Sequence, residues 1–196
     1  GGQDDLVWYP AEFSGGAWTA RVPVSAHAAA GAYAAHCYAV AGGSMVFAGT
    51  TSFSIDAPSA SVSVAEDADA GAFEVTVSGV SSPSGVSHVD VPVWSEAGGQ
   101  DDIVWYRAAR QADGTYRVRV SMAAHGWSTG VYNAHVYVAT GNGLYSYVGC
   151  ANTGEMEIPE VSLSANVSSD QKTVELRASG GVLSSASSVS FPVWSE

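Results

Sequence analysis

Positive charge is scarce in this sequence. Of 196 residues only seven are basic, and Lys172 is the single lysine. Nineteen acidic residues leave a formal net charge of −12. Such a chain offers no footprint for nucleic-acid phosphates or anionic lipid headgroups. No apolar run approaches the ~20 residues that span a bilayer, so membrane insertion is not expected. Gly1 opens no secretion signal, and any signal or wall anchor is expected to lie outside this stretch. Cysteine is nearly absent as well. Cys37 and Cys150 occupy unmatched places in the repeats described below, which argues against a disulfide framework. Neither sits in a CxxC or beside a histidine pattern suited to metal, and both read as buried, inert thiols. GxSxG, HExxH and P-loop motifs are all missing. The reading is a chain with no catalytic residue, no metal site and no cofactor: a binding or structural module and not an enzyme.

What is present is a globular composition, 46% hydrophobic and 13% charged, and a sequence that repeats itself. Residues 1–9 read GGQDDLVWY and 98–106 read GGQDDIVWY; 91–96 read VPVWSE and 191–196 read FPVWSE. The copies stay aligned between these anchors. Trp8 and Trp105 are 97 residues apart, His27 and His125 98, His36 and His135 99, and Pro92 and Pro192 100. An offset that grows by single residues fits small insertions in loops between fixed strands. A period near 100 residues is a whole domain, too long for a solenoid unit.

Period-2 alternation supplies the fold. Phe73, Val75 and Val77 alternate with Glu74, Thr76 and Ser78. Tyr116, Val118, Val120 and Met122 alternate with Arg117, Arg119 and Ser121. Each pattern gives one face to a core and one to water, as in antiparallel sheets. Further strands are predicted at 61–65, 87–94, 102–107, 131–139 and 143–148, with turn signals at Asp113-Gly114 and Gly141-Asn142-Gly143. No segment has a helical period, and Ala28-Ala29-Ala30 is too short to stand as a helix. The predicted class is all-β, a tandem of immunoglobulin-like antiparallel sandwich repeats.

Several residues invite a functional reading. Asp101-Asp102 and Asp4-Asp5 are adjacent pairs that a strand would send to opposite faces, so they fail as a catalytic acid/base pair. Calcium would need more oxygen ligands. The structural role is preferred: Asp5 and Asp102 close a turn by accepting from backbone N–H groups. Trp8-Tyr9, Trp105-Tyr106, Trp94 and Trp194 are the aromatic stock of the array. Open rings could stack on sugars, whereas a core role is expected for at least one Trp per unit. Of each Trp-Tyr pair, one points inward and the other outward. His27/His125 and His36/His135 lack the neighbours of a metal site and read as hydrogen-bonded structural histidines. Gly31-Ala32-Tyr33-Ala34-Ala35 and Gly130-Val131-Tyr132-Asn133-Ala134 share G-x-Y-x-A at a strand start. That pattern is similar to the tyrosine corner of immunoglobulin-like sandwiches, and it gives Tyr33 and Tyr132 a structural role.

The strings VPVWSE-AGGQDDIVWYRA, DGTYRVRVSMAAH and STGVYNAHVYV resemble the GBS Bsp-like repeat, a family of Gram-positive surface and wall-lytic proteins. The likeness runs through both copies. The first departs where Gly15-Gly16-Ala17-Trp18 replaces Asp113-Gly114-Thr115-Tyr116 and Cys37 replaces Val136. The resemblance implies an extracellular, cell-surface location and a role beside hydrolases or adhesins, but carries over no binding residues. Three functions follow as expectations. One is a module that binds cell-wall polymer or glycan through Trp8, Trp105, Tyr9, Tyr106, Trp94 and Trp194. The second is a spacer or stalk of an adhesin. The third is part of a peptidoglycan hydrolase whose catalytic domain lies elsewhere.

The family's phase implies one complete unit at 58–157, the back part of a preceding unit at 1–57 and the front part of a following one at 158–196. Pro58 and Pro159 mark matching boundaries. The two outer parts together make one domain, and self-association by strand or half-domain exchange between molecules is the favoured expectation. The alternative is two self-contained domains, 1–96 and 98–196.

Overall fold

The computed structural model describes residues 5–195, and no α-helix occurs among them. Residues 5–57 hold two hairpins. β1 (Glu12–Ser14) pairs with β2 (Ala17–Thr19), and β3 (Gly31–Ala41) with β4 (Ser44–Ile55). Next come β5 (Ser59–Asp67), β6 (Ala72–Ser81), β7 (Val86–Ser95) and β8 (Val104–Arg107). They are followed by β9 (Ala109–Arg110), β10 (Tyr116–Ser121), β11 (Tyr132–Thr140) and β12 (Tyr145–Asn152). A last hairpin joins β13 (Ser162–Val167) to β14 (Val174–Ser179). Residues 186–195 form no strand.

Strands β5 to β12 close into a two-layer antiparallel sandwich. One sheet has the order β5-β6-β10-β9 and the other β12-β11-β7-β8, the strand order of immunoglobulin-like domains. Alternation drives the closure. Phe73, Val75 and Val77 from β6, Val89, Val91 and Val93 from β7, Val120 from β10, and Tyr132, Val136 and Val138 from β11 are all fully buried. Each such side chain contributes about 1.5–3 kcal/mol by leaving water. The centre is the Phe73–Tyr132 pair, with ring centroids 5.3 Å apart. No tryptophan holds that place. The sandwich core runs from Ala60 to Met156, and a division at residue 97 would cut through it.

At the start of β11 the Tyr132 hydroxyl donates to the Ser128 carbonyl at 2.6 Å, the geometry of a tyrosine corner. Burial, then the charge of Asp102 and the neighbouring Tyr106, push this phenol up to about 12. At the same end of the sandwich Gly71 turns with φ 57°, and a Cβ there would lie 2.7 Å from the Trp127 ring. Only glycine fits that corner.

The outer hairpins keep the register of their counterparts in the sandwich. β13–β14 pairs Leu163 with Ala178, Ala165 with Leu176 and Val167 with Val174. β5–β6 pairs Val62 with Val77, Val64 with Val75 and Glu66 with Phe73. The register of β3–β4 shifts at Cys37/Tyr38 opposite Gly49, as that of β11–β12 shifts at Val136/Tyr137 opposite Gly149. Both glycines take left-handed φ, 151° and 157°, which lets the chain add the extra residue of a bulge. No second layer covers these hairpins. Ala35, Cys37 and Ala39 are exposed where Ala134, Val136 and Val138 are buried. The expectation of buried thiols is therefore corrected. Cys37 is exposed because nothing packs over β3. Cys150 is exposed because its register partner is the outward-facing His135.

Candidate functional site: an aromatic sheet face

The outer face of the β12-β11-β7-β8 sheet is built by the same alternation that fills the core. With Ala134, Val136 and Val138 turned inward, β11 sends His135 and Tyr137 outward. β12 presents Tyr145 and Tyr147, 47% and 49% exposed, and β8 presents Trp105 at 54%. The rings form a connected surface. Trp105 lies 5.6 Å from Tyr137, and Tyr137 stacks on Tyr145 at 5.4 Å with 12° between planes. Tyr147 meets Tyr137 at 5.7 Å and His135 at 5.1 Å. Pro92 is the cross-strand partner of Trp105, and Asp90 pairs with Tyr137 on one side and Arg107 on the other.

Asp90 is the polar hub of this face. It accepts from Arg107 Nε at 2.6 Å and from the Tyr145 hydroxyl at 3.1 Å, with His88 Nε2 at 3.4 Å. Burial first, then the hydrogen bond to Asp90 and its charge, hold the Tyr145 phenol up at about 12. The phenol is thus a neutral hydrogen-bond donor throughout the physiological range. His88 and Arg107 also line an open groove of about 720 Å³ that reaches Ser82, Gly85, Arg110 and Tyr116. The aromatic surface and the polar groove meet at these two residues.

A matching row stands on the β3–β4 hairpin. Trp8 lies 5.2 Å from Tyr38, Tyr38 lies 5.4 Å from Phe47, and His36 lies 5.5 Å from Phe47. Positions Trp8, His36, Tyr38 and Phe47 correspond to Trp105, His135, Tyr137 and Tyr147.

A second constellation lies under the GGQDD turn. Asp102 accepts from the Ser95 backbone N–H at 3.0 and 3.2 Å, tying the turn to the end of β7. Its carboxylate is 3.3 Å from His125 Nδ1, and its carbonyl 3.1 Å. Both of those atoms only accept, so Nδ1 carries the proton and Nε2 accepts from the Tyr106 hydroxyl at 3.1 Å. The same chain recurs as Asp5, His27 and Tyr9, at 3.4 and 3.1 Å. The Tyr106 phenol is raised by burial and then by the charge of Asp102, the wrong direction for a nucleophile. The constellation works as a clamp between β7, β8 and the turn after β10.

The structure separates the predicted binding residues. Trp8 and Trp105 are on open faces. Tyr9 and Tyr106 turn toward their histidines and are half-buried. Trp94 is only 8% exposed; it points to the same side of the sheet as His135 and packs edge-on against that ring at 4.7 Å, so it is part of the face but offers little open surface. Trp194 is exposed, on a segment without strand pairing. Among the structural residues, Tyr33, Tyr132, Asp5 and Asp102 make polar contacts, with the Tyr33 hydroxyl donating to the Ala29 carbonyl at 2.6 Å. The hydrogen-bonded histidines are His27 and His125. His36 and His135 stand instead in the aromatic rows. Asp4 lies outside the described residues. Tyr137, Tyr145 and Tyr147 went unnoticed in the sequence, although His135-x-Tyr137 and Tyr145-x-Tyr147 are aromatic pairs at strand spacing. Among the described residues no group of three or more His, Cys, Asp or Glu gathers as a metal centre requires. No helix there is long and apolar enough to cross a membrane.

The fold and its tyrosine corner define an immunoglobulin-like all-β sandwich. Within that class, residues 63–153 match the family model of the GBS Bsp-like repeat, a little under half of the chain. No curated protein matches. Among solved structures, a polysaccharide deacetylase from Bacillus cereus is similar at 7% identity with a TM-score of 0.43. That likeness covers 49% of this chain, which spans 30% of the deacetylase. The match is to a repeat module, and it covers residues 63–153 alone.

Proposed function

We propose that the chain is a non-catalytic extracellular module that holds a bacterial surface or wall-associated protein against a glycan. The observation that supports this is the open row Trp105–Tyr137–Tyr145–Tyr147 with the Asp90–Arg107–His88 hub at its edge. Aromatic faces stack on the C–H faces of pyranose rings, and the hub supplies the donors and acceptors that orient hydroxyls. The face is flat and unwalled, a shape for a polymer rather than a single sugar. The row of Trp8, Tyr38 and Phe47 offers a second contact on the same chain, and two weak contacts on one polymer raise the overall affinity well above either. Cell-wall polymer is the glycan that the family's company favours.

Pelleting with purified peptidoglycan tests the reading. The wild type is expected in the pellet. Trp105→Ala, on an exposed ring, is expected to weaken binding about tenfold, a loss near 1.4 kcal/mol, with the melting transition unmoved. A wild type that stays in the supernatant at high protein concentration removes the wall-binding reading and leaves a spacer.

A further inference from the structure

At one end of the closed domain the two sheets part into a mouth. β10 follows β6 only as far as Val77, and β8 follows β7 only as far as Asp90. Beyond those points residues 80 and 81 of β6 and residues 86–88 of β7 have no neighbouring strand on that side. Ser87 stands two residues before the fully buried Val89 and is nonetheless exposed. The chain crosses between the sheets at the buried Ala108, so Arg107 ends one sheet and Arg110 belongs to the other. The open groove of about 720 Å³ lies in this mouth, and no residue of the outer hairpins lines it. The chain enters the domain at this end, with Ser59 beside Ser81, and leaves past Pro159, which packs against Gly71 at the opposite end.

The groove inverts the charge of the molecule. Acidic residues outnumber basic ones 19 to seven in the chain, yet Arg107, Arg110 and His88 line the groove and no acidic side chain does. Asp90, beside it, holds Arg107 at Nε and lies near His88 Nε2. That bond fixes the Arg107 guanidinium and leaves its terminal amino groups without an acceptor among the described residues. On β10, Arg117 is taken up by Glu74 and Asp113, and Arg119 by Asp67. Asp113, in the turn before Gly114, is further held by Thr115. Arg110 has no acidic partner among the described residues.

A guanidinium is a planar fork of N–H donors that fits the paired oxygens of a carboxylate or phosphate. The rest of the wall carries Ser81, Ser82 and Ser87, whose hydroxyls both donate and accept. Its volume lies within the range of small-molecule sites. We infer that this groove binds an anionic sugar, one that carries a carboxylate or a phosphate. Arg110 and Arg107 take the anionic group, and the serines and His88 take the ring hydroxyls. The inference rests on the glycan reading above for the class of ligand and adds its charge. The aromatic row stacks on any pyranose, whereas the groove selects among them.

A nuclear magnetic resonance titration of the full chain tests this with glucose, glucuronate, glucose 6-phosphate and inorganic phosphate at matched ionic strength. The amide signals of residues 80–88 and 107–116 are expected to move with glucuronate, glucose 6-phosphate or both, saturating at millimolar concentrations. The tighter of the two names the anionic group. Glucose and inorganic phosphate are each expected to bind at least about tenfold more weakly. Arg110→Gln should weaken the anionic sugar about tenfold with signals outside the groove in place. Arg119→Gln removes the same charge outside the groove and should bind as the wild type does. The inference is overturned if neither anionic sugar moves these signals, or if glucose or inorganic phosphate binds as tightly as they do. It also fails if Arg110→Gln binds like the wild type, or if Arg119→Gln loses as much. The signals belong to the groove itself, so a flat titration strikes the groove whether or not the chain pellets with peptidoglycan. A chain that does not pellet leaves the groove site standing.

Discussion

Corresponding residues meet opposite fates in two regions of this molecule. Val75 on β6 is fully buried, while Leu176, at the matching place on β14, is only half covered. Val136 on β11 is buried, and Cys37 on β3 is exposed. The strand pairs have the same register in both regions, down to the bulge opposite Gly49 and Gly149. Register is thus a property of the hairpin, set by its turn and alternation. Burial belongs to the second layer, and only β5–β12 bring both layers together.

The largest effect expected from this contrast is at the core. Phe73→Ala should destabilise the closed domain by about 3–5 kcal/mol, read as a lower urea midpoint. Val174→Ala, at the corresponding but 57% exposed position, should change dilute protein by less than about 0.5 kcal/mol. A comparable loss at Val174 would break the comparison, since it would mean that β14 is already covered.

The clamp sharpens it at an intermediate scale. Asp102→Ala leaves the Ser95 N–H without its acceptor and removes the carboxylate beside His125, whose Nδ1 keeps the residue-102 carbonyl, and should cost about 1–3 kcal/mol. Asp5 is 60% exposed and its contact with His27 is longer, so Asp5→Ala should fall within about 0.5 kcal/mol. Equal effects would show the two clamps to be equally enclosed.

The smallest effect is one of pH. The folded Tyr132 phenol holds its proton to about 12, whereas the unfolded chain releases it near 10. Its contribution is complete below pH 10 and is lost as pH rises through about 12, at most on the order of 2 kcal/mol. The urea midpoint should fall across that window. Tyr132→Phe should remove this part of the slope, leaving the part due to Tyr145, which is raised to a similar value.

Much of the closed domain was legible in the sequence. Alternation located β6 and β10; Tyr132 bonds the Ser128 carbonyl and Asp102 the Ser95 N–H. β9 escaped because two residues carry no alternation. The Trp105-Tyr106 pair shows where pattern stops. Period 2 says that the rings face opposite ways, but the inward choice of Tyr106 comes from His125, nineteen residues later. Cys150 read as core because cysteine usually is; its outward turn depends on the bulge at Gly149. The aromatic face assembles from four strands, so no single stretch of sequence displays it.

The opposite placement of the two chain connections has a mechanical consequence. Tension applied along the chain would act on β5 lengthwise, drawing it up past β6 rather than lifting it away. The backbone bonds of the β5–β6 ladder would then be loaded together, in shear, and would have to fail together. How long the domain holds under pull would be set by its rate of unfolding and not by its equilibrium stability. Val62 and Val64, which contribute modestly to the static core, lie on the strand that bears the load.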